Sequence, residues 1–362
     1  MIILIPSYKR TDILHWVIES VMGCDISGIE ERILILIVNN YFPNKEIVNS
    51  IIAKCQIKNK FEIEAIHRQK TLPAVDSWFS AMFNSAKENE VVILLGDDDI
   101  LLPWGLKNRY QEITKHKADM LLSDFCQRLF FFQHGEFCWP NFKIPKSPFK
   151  NNEAVPWNYL KGNQPNATFM SNHCYRNTAG FRKGLETALF WCSEQYWIPR
   201  EFSTGNLPGY LSYAIKSTGG VVVTVSEVSV IRGALAEESQ YQDYSDGGNT
   251  SFYSLLIYNT FSNKKLHANL SDFEEWRKLH LHCFKSSALG ILFNKKISFK
   301  TLGESMYQSG LKYSDLLSWS IFNNYNVVIR LLPGIRGYRL KKISKRKDLY
   351  MTQEFIQSLA KD

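Results

Sequence analysis

The residues best suited to chemistry are Asp97, Asp98 and Asp99, three adjacent carboxylates that follow Gly96 at the end of the apolar run Val91–Leu95. Like charges packed this closely repel one another unless something cationic sits among them. A divalent metal meets that need. Mg²⁺ or Mn²⁺ takes hard oxygen ligands and commonly binds through one or two carboxylates, substrate phosphates and water. A structural reading competes with this one, in which the triplet is a solvated acidic turn capping a helix at Leu102-Pro103-Trp104. The position favours function, because open α/β sheets bind ligands at the carboxyl ends of their strands.

The elements that must carry such a site are legible upstream. Strands are expected at Ile2–Ile5, Ile33–Val38, Phe61–Ile66 and Val91–Leu95, rich in β-branched or aromatic residues and spaced by about 30 residues, the step of a βαβ unit. Leu14, Val17, Ile18 and Val21 predict a helix entered through Thr11 and Asp12. Ile47, Ile51, Ile52 and Cys55 predict a second, and Val75, Trp78, Phe79, Met82 and Phe83 a third that opens after Pro73. Alternating β and α elements imply a mainly parallel sheet covered on both faces. Its ligand edge then comprises Pro6–Arg10, Asn39–Tyr41, His67–Lys70 and Gly96–Asp99.

Beyond Ala118 the pattern becomes two extended runs to about Phe137, then a loop over Pro140–Pro156, then another extended stretch over Gly220–Ile231. A helical region follows, with a capping box at Ser271–Glu274. Two domains are expected, residues 1–240 and a helical C-terminal extension over 241–362.

Three segments in order resemble the inverting glycosyltransferases of family 2. Ile5-Pro6-Ser7-Tyr8-Lys9-Arg10 is similar to the family's opening I-P-T-Y-N-R, Ile37-Val38-Asn39-Asn40 to its V-D-N/D, and Leu95 to Pro103 to its D-x-D segment. Asn172 to Phe181, ending Ala179-Gly180-Phe181, resembles the stretch closing on G-G-F. The resemblance covers about residues 1–235. It implies a GT-A, Rossmann-like domain that binds a nucleotide sugar. Pro6, Ser7, Tyr8, Arg10 and Asn39 would lie on the nucleotide, Asp97 and Asp98 on the donor, and Asp99 with Asp97 on Mn²⁺ or Mg²⁺. Asn39 departs from the family's usual acid, although an amide can still make paired hydrogen bonds.

The implied reaction is in-line attack of an acceptor hydroxyl on the anomeric carbon, with the metal absorbing charge on the departing diphosphate and a carboxylate taking the acceptor proton. Glu194 is the first candidate base, Glu201 the second, and Glu186 trails them; the family's E-D pair is absent. Trp139, Trp157, Trp191, Tyr196, Trp197 and Tyr210 crowd the same region and read mainly as core, as does His173. His280 and His282, two apart on a predicted helix, point to different faces and read as structural.

Composition sets bounds. Hydrophobic residues at 45% and charged residues at 22% predict a folded globular chain. Seven scattered cysteines with no C-x-x-C pair argue against a disulfide framework or zinc knuckle and for a reducing, cytoplasmic compartment. The opening MIILIPSYKR predicts a buried strand rather than a signal peptide, and no apolar run is long enough to span a bilayer. Much of the formal charge of +8 lies between Leu316 and Lys347, where eight basic residues meet no acidic one. Interleaved with Leu331, Leu332, Ile335 and Ile343, this tail predicts that residues 326–347 meet an anionic membrane surface rather than nucleic acid. The expected partners are a nucleotide-sugar donor, UDP-linked in the first instance, and a glycan or lipid-linked glycan acceptor. Such a protein would sit on the inner face of the cell membrane and serve surface polysaccharide or lipopolysaccharide (O-antigen) assembly. Two other readings are a noncatalytic nucleotide-sugar or glycan binding module and a sugar nucleotidyltransferase. The latter usually carries a glycine-rich phosphate loop after the first strand, where Pro6 to Arg10 has no glycine.

Overall fold

The computed structural model describes residues 1–9, 11, 13–55, 60–133, 136–138, 170–193 and 207–235. The expected C-terminal extension, with its capping box, paired histidines and basic tail, lies outside the described residues, as do Arg10, Glu194, Glu201, Trp139, Trp157, Tyr196 and Trp197.

The first half follows the βα rhythm. Strand β1 (Ile2–Ser7) leads to α1 (Leu14–Met22), β2 (Ile33–Asn39), α2 (Lys45–Lys54), β3 (Phe61–His67), α3 (Ala74–Ser85) and β4 (Val91–Leu94). A two-residue strand β5 (Ile100–Leu101) and α4 (Gly105–Lys115) follow the acidic triplet. The remainder comprises β6 (Met120–Gln133), β7 (Glu136–Cys138), β8 (His173–Arg176), α5 (Ala179–Ser193), α6 (Leu207–Ser217) and β9 (Val222–Leu235).

The strands form one sheet in the order β3-β2-β1-β4-β8-β6-β9-β5, with β7 paired to β6. β3, β2, β1 and β4 are mutually parallel, β8 enters antiparallel between β4 and β6, and β9 lies parallel to β6. With β5 and β7 reversed, six of the nine strands run the same way, so the sheet is mainly parallel.

Period-two alternation sends successive β1 residues into different cores. Ile3 and Ile5 join Ile35, Ile37 and Ile93 under Leu14, Val17, Ile18 and Val21 of α1 and Leu106 and Ile113 of α4. Ile2 and Leu4 join Leu36, Val38, Val92 and Leu94 under Phe79 and Met82 of α3, Phe181 and Leu185 of α5, and Leu211 and Ile215 of α6. Each such side chain contributes roughly 1.5–3 kcal/mol by leaving water, so the central strands tolerate polar residues only at their ends.

Three expectations need local correction. The buried stripe of α2 starts at Val48, since Val48, Ile51, Ile52 and Cys55 keep the spacing i, i+3, i+4, i+7, whereas Ile47 is 49% exposed. Helix α1 begins at Leu14 after Ile13, with the Leu14 N–H donating to the Thr11 carbonyl and no side-chain cap among the described residues, outside which Asp12 lies. Nor do the three aspartates cap α4: β5 intervenes, and Trp104 occupies the capping position with no side-chain capping bond to the helix.

No helix among the described residues is long and apolar enough to cross a membrane. The chain leaves β1 for β2 and β3 on one side and returns to β4 on the other. In sheets of this kind such a reversal marks the ligand crevice, which here falls at the carboxyl ends of β1, β2 and β4.

Candidate active site

At this crevice β1 and β4 are joined by a hydrogen bond from the backbone N–H of Tyr8 to Oδ2 of Asp97, at 3.3 Å. Asp97 and Asp99 are 2% and 3% exposed, while Asp98 is half-buried. The turn is closed by the Asp99 N–H donating to the Gly96 carbonyl at 3.2 Å. A Cβ at Gly96 would sit 2.6 Å from Oδ2 of Asp99 and 3.2 Å from Oγ of Ser171, so only glycine lets the strand end pass so close to the carboxylate. Ser171 completes this corner. Its hydroxyl accepts the Gly96 N–H at 2.7 Å and donates to Oδ2 of Asp99.

Behind Asp99 lies Arg109 of α4, fully buried, with Nε, Nη1 and Nη2 making no hydrogen bond among the described residues. Burial pushes its pKa down to about 10, opposed by attraction to Cys174, Cys24 and Asp99. Burial also pushes the Cys174 thiol up to about 12, and Cys24 Sγ donates to the carbonyls of Ser20 and Leu102. Asp99 is the one carboxylate of the three. The pair places a fixed positive charge in a low-dielectric interior close to the carboxylate, where charge interactions are stronger than in water.

On the other side of the crevice, Pro6 and Ser7 are buried at the end of β1. Pro6 lies in register with Val38 and Ser7 with Asn39. The half-exposed rings of Tyr8 and Tyr41 meet edge to face with centroids 5.6 Å apart. Lys9 Nζ stands 5.2 Å from the first centroid and 5.8 Å from the second. Lys9 holds φ at 58°, a left-handed conformation that non-glycine residues adopt at a cost and that gathers at functional sites. Asn39 is fully buried rather than open to the crevice. Its amide is taken up internally, by Tyr41 and His67. Asn40 secures the next loop, exchanging hydrogen bonds with Leu72 at 2.8 and 2.9 Å.

The structure therefore gathers Tyr8, Asp97, Asp98 and Asp99 around one crevice and puts Asn39 behind it. Glu186 is exposed on α5. His173 is buried with Nδ1 2.8 Å from the Tyr175 hydroxyl, whose pKa burial raises, and Trp191 is core, in keeping with the structural reading of both. Two contributors escape the motif reading, Ser171 and Arg109. Ser171 carries no signal of its own. Arg109 has one: it shares the face of α4 defined by Leu106 and Ile113, and a cation on a buried stripe needs a reason to be there.

As for metal, no group of three or more His, Cys, Asp or Glu side chains among the described residues is arranged to hold an ion unaided. The oxygen-only donor set of Asp97 and Asp99 fits a hard divalent cation whose remaining positions are filled by phosphate and water.

No protein-family profile matches the sequence, and no curated protein is recognisably similar to it. Solved structures do show the fold. S. aureus TarS residues 1–349 in complex with UDP-GlcNAc is 13% identical with a TM-score of 0.50, the similarity covering 85% of this chain and 81% of that one. A second structure of TarS 1–349 is 12% identical with a TM-score of 0.51, covering 88% and 80%. The mannosyltransferase PcManGT from Pyrobaculum calidifontis, in complex with GDP-Man and Mn²⁺, reaches only 0.49 at 10% identity over 91% and 86%, too low to support inference. The fold is thus the mixed α/β, GT-A arrangement, shared with a protein crystallised on a nucleotide sugar.

Proposed function

We propose that the protein is a glycosyltransferase that moves a sugar, with inversion, from a nucleotide diphosphate to a glycan or lipid-linked glycan acceptor. The observation that carries this reading is the meeting of Tyr8 with Asp97 at the crevice between β1 and β4, with Asp99 two residues on, in a GT-A fold.

In this reading the nucleobase and ribose lie against Pro6, Ser7, Tyr8 and Arg10, with Tyr41 beside Tyr8 at the base. Asp97 and Asp98 orient ribose and sugar through hydrogen bonds to hydroxyls. A divalent ion, Mn²⁺ or Mg²⁺, would be held by Asp99 and Asp97 and would take up negative charge on the departing diphosphate. Ser171 holds Asp99 in place, and buried Arg109 offsets part of the negative charge gathered there. The acceptor hydroxyl approaches opposite the diphosphate and gives its proton to a carboxylate, assigned first to Glu194 and second to Glu201.

The remaining assignments follow from the sequence. Residues 1–240 form the transferase domain and 241–362 a helical extension, with 326–347 resting on the anionic inner face of the cell membrane. There the enzyme serves surface polysaccharide assembly, and a UDP-sugar is the first donor to try.

The test is turnover of UDP-, GDP-, CDP- and dTDP-sugars with and without Mn²⁺ or Mg²⁺, comparing the native chain with Asp99→Ala. Metal-dependent release of one nucleoside diphosphate, lost in the variant, is the expected result. Binding of a donor without transfer to any glycan would point instead to the noncatalytic module, a reading that the missing E-D pair favours. No binding of any donor would overturn both.

A further inference from the structure

Between the ends of β2 and β3 lies a hydrogen-bonded chain that the proposed mechanism does not use. Nδ2 of buried Asn39 stands 3.1 Å from Nδ1 of His67, and the Asn39 Oδ1 accepts the backbone N–H of Tyr41 at 3.2 Å. The Tyr41 N–H can only donate, so it fixes which end of the amide is oxygen. The amide nitrogen is then a donor toward His67, and Nδ1 of that imidazole must be bare. The other ring nitrogen agrees: Nε2 lies 2.9 Å from Oδ1 of Asn49 on α2 and carries the proton. Reversing the amide would set its N–H₂ against the Tyr41 N–H, so each contact in the chain enforces the next.

The consequence reaches the crevice. Asn39 pins the Tyr41 backbone, and the Tyr41 ring stands against Tyr8 under Lys9 Nζ. We infer that His67, neutral and protonated on Nε2, is a positioning residue for the nucleobase end of the donor site, acting through Asn39 on the Tyr8–Tyr41 pair. The inference rests on the reading of this crevice as a nucleotide site and adds a residue to it.

Protonating His67 puts a second N–H on Nδ1, facing the Asn39 N–H, donor against donor. The relay therefore holds when His67 is neutral and breaks when it is charged. Burial first, and Lys45 second, lower the His67 pKa below the ordinary imidazole value, with Glu46 opposing them. Lys45 and Glu46 are the charged groups facing the ring from α2, and β2 offers it the uncharged Asn39. A base whose pKa is depressed on folding contributes stability that is complete above its unfolded value and is lost as pH falls through the folded one. Nucleotide binding should thus weaken on the acid side of the ordinary imidazole range and be level above it.

The experiment is calorimetric titration of the full chain with UDP, GDP, CDP and dTDP in Mn²⁺, from pH 5 to 8, for the native protein, His67→Gln and His67→Ala. The native protein is expected to lose affinity several-fold as pH falls through the His67 pKa, beyond the slope that phosphate titration gives every variant. Gln presents an acceptor to Asn39 at every pH, so H67Q keeps only the phosphate slope, whatever its absolute affinity. H67A binds several-fold more weakly than the native chain at neutral pH. An H67Q profile identical to the native one, or native affinity in H67A, overturns the proposal. If no nucleotide binds any version, the failure belongs to the reading of the crevice, and the relay is then decided by ¹⁵N NMR of the His67 ring. The Nε2–H tautomer, with a midpoint that rises in Asn39→Ala, supports it; the other tautomer or an unmoved midpoint refutes it.

Discussion

Ser171 donates its hydroxyl hydrogen to Asp99 across 72 residues of sequence. The same oxygen takes the N–H of Gly96, so one side chain from the turn before β8 holds both the last aspartate of the acidic triplet and the glycine that precedes it. The triplet is thus braced from the turn that leads into β8 and does not hang free at the end of β4.

Ser171→Ala removes that brace and leaves a buried N–H without its acceptor. An unsatisfied buried donor costs about 1–3 kcal/mol. Urea unfolding should register a loss of this size, and donor turnover should fall with it. An unshifted unfolding midpoint would show that the Gly96 N–H finds another partner.

Gly96→Ala tests the same corner from the backbone. The new Cβ meets Oδ2 of Asp99 at 2.6 Å and has no room unless the carboxylate moves. Overpacking of this kind costs roughly 1–3 kcal/mol. Metal-dependent donor binding should suffer more than stability does, which calorimetry with Mn²⁺ and a thermal melt together can separate.

Arg109→Met exchanges a fully buried cation, which makes no hydrogen bond among the described residues, for an apolar chain of similar length. A buried charge with no hydrogen-bonded partner carries a desolvation penalty that an apolar side chain does not. The variant should unfold at the same or higher urea concentration, yet turn over donor more slowly because Asp99 has lost its neighbouring charge. Strong destabilisation would mean that the guanidinium is worth more to the fold than to the site.

The acid limb of stability has a surface contribution. Lys107 Nζ reaches Oδ2 of Asp25 at 2.8 Å, and this contact, with the Ser27 hydrogen bonds, lowers the Asp25 pKa to about 2. The carboxyl is depressed on folding, so its contribution is complete above the ordinary aspartate value of 3.8 and disappears as pH falls toward 2. The pair is solvent-exposed, which limits it to about 0–1 kcal/mol. Lys107→Ala should flatten the stability profile slightly in that window, and added salt should erase the difference between variant and native chain.

How far the sequence carries can be judged from β1 and β4. Ile2 to Ile5 and Val91 to Leu94 are continuous apolar runs because both faces of a parallel strand are covered, so their place in the sheet is legible from composition alone. The acidic triplet is legible for a related reason: carboxylates released at the end of a buried strand have few purposes. The register of the α2 stripe is not legible, because Ile47 and Val48 are both strongly apolar and only packing decides which of them turns inward.

Local pattern therefore determined the strands, most of the helices, and the assembly of Tyr8 with Asp97 to Asp99 on one edge. Tertiary structure alone decided the contacts between distant segments. Ser171 under Asp99, Arg109 behind it, and His67 locking Asn39 away from the crevice are pairings between different elements. Hydrogen-bond direction and burial depend on which strands become neighbours, and no periodicity within a single segment encodes that.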